Sequence, residues 1–213
     1  MPLQNRVTPD GQIIATPARG TMMGNRGVLH DENRVLGRAR WRHKNWVACR
    51  LEFNNRHRRV MTLKRYTELF FLDEAVAFAA GHRPCAECRR ADYNRFKALW
   101  MDVRGMDARG CGALPAKEID NGLHTERAIP RQAEQKRHSA RLPNLPDGAF
   151  VMLDEAPHLV LGKQLLPYAP EGYGAPFDRP RQGAVTVLTP PSVLAVFRAG
   201  YQPMINPPAV YPT

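Results

Sequence analysis

The run from Leu72 to Cys88 constrains this chain more than any other stretch. It reads Leu-Asp-Glu-Ala-Val-Ala-Phe-Ala-Ala-Gly-His-Arg-Pro-Cys-Ala-Glu-Cys. Asp73 has the character of an N-cap, because its carboxylate can accept from the free amides of a first helical turn. The alanine-rich stretch after it predicts a short helix, and Gly81 suits the left-handed position that ends one. His82, Arg83 and Pro84 then form a stiffened turn into Cys85 and Cys88. Two thiolates at this spacing point the same way and can grip one metal ion. Two buried thiols without metal are a second reading, and a redox pair is a third. A redox pair follows a strand and opens a helix in a βαβ setting; this one follows a helix and a proline turn.

The flanking sequence predicts a small antiparallel sheet and a longer helix. Trp46 to Phe53 alternates, Asn54-Asn55 marks a turn, and Arg59 to Leu63 and Tyr66 to Leu72 read as further strands. Beyond Cys88, Phe96, Leu99, Trp100 and Val103 share one helical face. Cys88 would fall in the first turn of that helix, where the dipole favours a thiolate. Arg89 and Arg90 would lower its pKa further or touch a phosphate.

The cysteine region resembles the zinc-binding module of the Ada DNA-repair methyltransferase family, which is also appended to some nucleases. That module ends in an alanine-rich helix followed by Gly, an aromatic residue, and Arg-Pro-Cys-x-x-Cys, matched here by Ala80 to Cys88. Its upstream Cys-Arg pair corresponds to Cys49-Arg50. The resemblance spans about residues 46 to 92. It implies a structural zinc, with Cys49, Cys85 and Cys88 as three of four ligands. The family's remaining cysteine position falls on Phe53, which cannot bind metal. The fourth ligand would be His57, His43, His82, Cys111 or a water, and His57 is the first choice because it lies just beyond the missing position. The family's first cysteine accepts a methyl group from DNA phosphate. Only Cys49 is placed to inherit that role, and a thiolate nucleophile needs an exposed, electropositive site.

The charge is distributed unevenly. Residues 1–110 hold 21 Lys and Arg against 11 Asp and Glu, and residues 111–213 hold 10 against 9. Between Arg34 and Arg65 there are 11 basic side chains and a single acid, Glu52. Trp41, Trp46 and Phe53 are interleaved with them. Clustered cations beside aromatics are the footprint of a nucleic-acid surface. The residues expected to meet nucleic acid are Arg38, Arg40, Arg42, Lys44, Arg50, Arg56, Arg58, Arg59, Lys64 and Arg65, joined by Arg89 and Arg90. A solvated basic face is the plainer alternative. No run approaches the length of a membrane-spanning helix, and Met1 to Arg6 has no apolar segment of a secretory signal. Four irregularly spaced cysteines suit a reducing, cytoplasmic setting.

Four regions follow along the chain. Residues 1–45 read as an irregular basic segment, with Gly24-Asn25-Arg26-Gly27 as a loop that could bring Arg26 to a phosphate. Residues 46–104 form the metal-binding module. Residues 105–144 are a linker and a polar helix from Ala116 that Pro130 breaks. Residues 145–213 are β-rich, with strands near Ala149–Leu153, Leu159–Leu161, Leu165–Leu166 and Val185–Leu188. The Pro/Gly loop with Tyr168, Tyr173 and Phe177 would pin itself to the core or stack on a base. Thr189 would cap a last helix, with Pro190 at its first position. Phe197 to Pro203 repeats the wording of Phe78 to Pro84, as an old duplication or as one helix-stop solution reached twice. The fold class is α+β, and the two halves can share one core.

These readings converge on a zinc-stabilised nucleic-acid-binding protein, with DNA favoured over RNA. A metal-dependent nuclease or repair enzyme is an alternative; it would draw on His30-Asp31, His57, His124 and Glu126, although no paired catalytic motif joins them. A structural zinc domain that meets a protein partner is another. Neither enzymatic activity nor oligomeric state follows from the sequence.

Overall fold

A computed structural model describes residues 1–55, 59–106, 114–132 and 134–206. It is an α+β protein of two sheets and four helices among these residues. The first sheet contains β1 (Gln4–Val7), β2 (Ile13–Ala15), β3 (Met22–Asn25), β4 (Val47–Cys49), β5 (Leu69–Phe71) and β6 (Arg83–Pro84). Its order is β2-β1-β5-β3-β4-β6. The N-terminal segment read as irregular therefore supplies half of this sheet. The sheet is mixed rather than purely antiparallel, because β1 runs parallel to β5 and β4 parallel to β6. Residues 59–63 form turns, not the expected strand. The glycines of the early segment serve close backbone approach. A Cβ on Gly20 would stand 2.0 Å from the Phe71 carbonyl oxygen, and one on Gly24 would stand 2.2 Å from that of Val47.

Helix α1 (Glu74–Ala79) follows β5, and the Val76 amide donates to Asp73 Oδ1 at 2.9 Å. The helix stops as its sequence requires. Gly81, at φ +82°, donates to Phe78, and His82 donates to Ala77. This is a Schellman motif. Every residue of α1 is buried, which explains its small side chains: a helix covered on all sides can lie close to both sheets only if its surface is nearly flat. Helix α2 (Arg90–Asp102) buries Tyr93, Phe96, Trp100 and Met101. The apolar face is thus rotated from the expected one, and Val103 is exposed. Helix α3 (Ala116–Arg127) buries Ile119 and Leu123.

The second sheet holds β7 (His138–Arg141), β8 (Phe150–Leu153), β9 (Ala156–Leu161), β10 (Gln164–Ala169), β11 (Gly172–Tyr173), β12 (Phe177–Asp178) and β13 (Ala184–Val187). The order is β11-β10-β9-β8-β13-β7, with β12 also paired to β10. Helix α4 (Pro191–Arg198) closes the fold. Its N-cap is Pro190 rather than Thr189, whose Oγ1 instead accepts from the Phe150 amide at 2.9 Å. The cap is supplied from α3: the Glu126 carboxylate accepts from the Ser192 amide at 3.0 Å and from the Ser192 hydroxyl.

One apolar core joins both sheets. Val7, Met22, Leu69 and Phe71 of the first pack with α1 against Phe150, Leu159, Leu166 and Leu188 of the second. Tyr173 is fixed to this core, donating through its hydroxyl to Asp73 Oδ2 at 2.7 Å. It pins its own loop and does not face a ligand. No described helix is long and apolar enough to cross a membrane.

Candidate metal centre

The geometry of the three cysteines follows from the β4–β6 pairing. Parallel register sets Val47 opposite Arg83 and Ala48 opposite Pro84. The Arg83 amide donates to Trp46 at 3.1 Å and the Cys85 amide donates to Ala48 at 3.0 Å. Cys49, the last residue of β4, therefore stands beside Cys85. Alternation buries Ala48 and leaves Cys49 half-buried on the other face, the point that the sequence leaves open. The Arg89 amide then donates to the Cys85 carbonyl at 3.1 Å, which folds Cys88 back toward the pair. The sulfurs of Cys49, Cys85 and Cys88 all lie within 4.8 Å of one another. Cys88 sits in the turn before α2, not within its first turn, since Arg89 is the N-cap.

Backbone amides point at this cluster. The Glu87 amide donates to Cys85 Sγ at 3.4 Å, the Cys88 amide is also directed at that sulfur, and the Arg50 amide is directed at Cys88 Sγ. Such donors favour thiolate over thiol. The Cys85 thiol is held far below its ordinary range by contact with Cys49, then by Cys88 and the amides. Cys49 is pushed far up by contact with Cys85 and Cys88 and by burial. Contact with Cys49 favours the Cys88 thiolate, but contact with Cys85 and burial outweigh it and raise the pKa. Among the three sulfurs, contacts and amides favour the thiolate most at Cys85.

The donor set fits a thiophilic ion. Zinc–sulfur bonds of about 2.3 Å at tetrahedral angles put sulfurs roughly 3.8 Å apart. Sulfurs within 4.8 Å reach that spacing with small side-chain rotations. Among the described residues no fourth donor joins the group. His82 is fully buried between Trp46 and Phe71, with the Arg26 Nε–H donating to its Nε2 at 3.4 Å. His43 Nε2 pairs with Asn25 Oδ1 at 3.1 Å. His57 and Cys111 lie outside the described residues.

The basic side chains divide into two sets. Arg38, Arg42, Lys44, Arg50, Arg59, Lys64, Arg65 and Arg90 are exposed, and Arg40 is half-buried. Arg56 and Arg58 lie outside the described residues. Arg89 is different. It is buried, 2.6 Å from Glu74 and 2.8 Å from Asp92, and so cannot meet a phosphate. Arg83 is likewise buried, in a two-pronged pair with Asp120 at 2.8 Å on both prongs.

Sequence reasoning missed a buried cationic cluster around Trp46. Arg26 and Arg127 lie over Trp46 at 4.1 and 4.2 Å from its ring. Their guanidinium groups donate to Ala80 and Gly81 respectively, the carbonyl end of α1, where the helix dipole favours cations. Burial lowers both to about 9. Arg26 therefore holds a helix end and not a phosphate. His124 is not simply solvated, since it stands edge-on to Trp41 at 4.5 Å. Among the described residues the acids and histidines of the enzyme reading form no metal-binding group: Glu126 caps α4, and His30 Nδ1 pairs with Thr67 Oγ1 at 2.6 Å. Among the described residues the three cysteines form the only group with metal-binding geometry. Comparison with family models, with curated proteins and with solved structures finds no match to this chain.

Proposed function

We propose that this protein binds nucleic acid, DNA before RNA, through a basic segment that a zinc ion held by Cys49, Cys85 and Cys88 fastens to the fold. The observation that carries this reading is the convergence of the three sulfurs midway along the basic segment. Cys49 is the residue from which the chain departs into Arg50 and onward to Arg65, and Cys88 immediately precedes Arg89 and the exposed Arg90. An ion there ties the middle of the cationic run to the start of α2. The sulfur-rich donor set is that of a structural site, and its folding energy is metal-binding energy. The resemblance to the Ada-type module supports the same assignment, with His57 as the proposed fourth ligand.

The test is fluorescence anisotropy with labelled duplex DNA and duplex RNA, before and after metal removal. Binding should weaken steeply as salt rises, because released counterions carry most of the affinity. Metal removal should weaken it further, by about tenfold or more. Arg59→Glu with Lys64→Glu should do the same without lowering thermal stability. No binding at low salt, or binding indifferent to the charge reversals, sinks the proposal.

A further inference from the structure

A cleft of about 780 Å³ opens beside the basic segment, away from the cysteines, with Val28, Leu29, Val35, Leu36, His43 and Tyr66 among its walls. One wall is a tight hairpin. The Gly37 amide donates to Leu29 at 2.8 Å and the Asp31 amide donates to Val35 at 3.0 Å. Asp31 Oδ1 accepts from the Asn33 and Val35 amides at 2.9 Å each, and Arg34 takes the left-handed conformation at φ +63°. Thr67 anchors its base, accepting from the Leu29 amide at 2.9 Å. The opposite wall is equally fixed. The Arg42 amide donates to Arg26 at 2.7 Å, and a Cβ on Gly27 would stand 2.7 Å from Arg42 Cβ and 3.3 Å from His43 Cδ2. Both walls are therefore in place before a ligand arrives, which lowers the ordering cost of binding.

Apolar side chains are left exposed on this rigid frame: Val35 is 59% accessible and Val28 39%. The cleft wall carries one arginine, Arg42, and one carboxylate, Asp31, whose Oδ1 is engaged by the Asn33 and Val35 amides; Arg34, Arg38 and Arg40 follow along the adjoining chain. The apolar part of the wall favours an uncharged body over a hydrated ion. A fitting occupant has a flat, weakly polar body and carries its negative charge outside. A nucleotide unit within a strand has this form. Small-ligand sites of this size are mostly apolar with a few fixed polar groups, and enzymes and readers of single bases take them up in such pockets.

We propose that this cleft receives one unstacked base of a nucleic-acid strand whose phosphates follow the Arg38–Arg42 run. The proposal rests on the nucleic-acid reading above and adds to it a seat for a base. It is tested with two 12-nucleotide DNA strands of abasic residues, one carrying a single central 2-aminopurine and the other abasic throughout. The wild-type protein should bind the first about tenfold or more tightly than the second, the scale expected for one seated base, and the 2-aminopurine fluorescence should change on binding. Val28→Trp, which fills the cleft from an exposed position, should abolish that preference while leaving the melting temperature and the affinity for the abasic strand unchanged. Equal binding of both strands by the wild type overturns the base seat and leaves nucleic-acid binding standing. Binding of neither strand at low salt overturns both.

Discussion

Arg89 shows how a residue's neighbours in space outrank its neighbours in sequence. Placed between Cys88 and Arg90, it reads as a surface cation. Its guanidinium is in fact buried 2.6 Å from Glu74, whose carboxylate also accepts from the Tyr201 hydroxyl at 2.8 Å and the Met204 amide at 2.9 Å. Removing one member of a buried pair leaves the other charge without compensation, at a cost of about 3–5 kcal/mol. Arg89→Met should therefore lower stability by roughly that amount, and adding Glu74→Gln should recover part of it. Urea unfolding of the single and double variants checks this; a single-variant loss under about 1 kcal/mol would mean the pair is not coupled. The cysteines support a second prediction at this scale. Elemental analysis should find one zinc per chain, lost in both Cys49→Ser and Cys88→Ser. A chain purified without metal would refute the site. Cys85 and Cys88 were legible because two thiols three positions apart act within one turn. Cys49 came from the resemblance alone, since its position depends on a parallel pairing between β4 and β6 that no local pattern encodes.

Among the elements, those legible in sequence were those whose signals are local. The Asp73 cap, the Gly81 stop and the strands after residue 149 all carry their own punctuation. Strands β1 to β3 did not, because they are three or four residues long and hold their places in the sheet through partners distant in sequence: β5 pairs with β1, in the Arg6–Phe70 register, and with β3. The repeated wording of Phe78–Pro84 and Phe197–Pro203 resolves into two copies of one capping motif. Gly200, at φ +106°, donates to Phe197, and Tyr201 donates to Val196, as Gly81 and His82 do at the end of α1. The same motif does not have the same tolerance. A Cβ on Gly200 meets nothing within 4 Å, whereas one on Gly81 would stand 2.4 Å from Arg127 Cδ and 3.1 Å from its Cβ. Gly200→Ala should cost only left-handed strain, about 1–2 kcal/mol. Gly81→Ala adds overpacking against a buried arginine, about 1–3 kcal/mol more. Thermal unfolding of the two variants measures the difference; equal losses would show that Arg127 yields freely.

For the whole molecule, the core that joins both sheets makes unfolding a single event, so that local protonation is felt globally. The interior around Trp46 is rich in positive charge: Arg26, Arg83 and Arg127 are buried there, and among the described residues the buried carboxylate beside them is Asp120, already paired to Arg83. Three histidines border this region, and burial lowers His43 along with the other two. Burial, then Arg26 and Arg127, holds His82 well below the ordinary imidazole range. Burial, then Arg127, Lys44 and Lys136, lowers His124 to about 4. In the unfolded chain all three titrate near 6.5. Below about pH 6.5 the unfolded state therefore binds more protons than the folded one, and stability must fall with pH. The His124 share is complete above pH 6.5, declines below it, and is spent once pH reaches about 4. Asp73, whose carboxyl is raised by burial, opposes this trend at the acid end of the range, so a comparison of variants is cleaner than a single curve. Urea midpoints measured between pH 7.5 and 5 should fall for the wild type and fall less for His124→Gln, which cannot take up the proton in either state. Parallel pH profiles for the two proteins would place His124 in ordinary solvent and remove the buried cations as the cause of its shift.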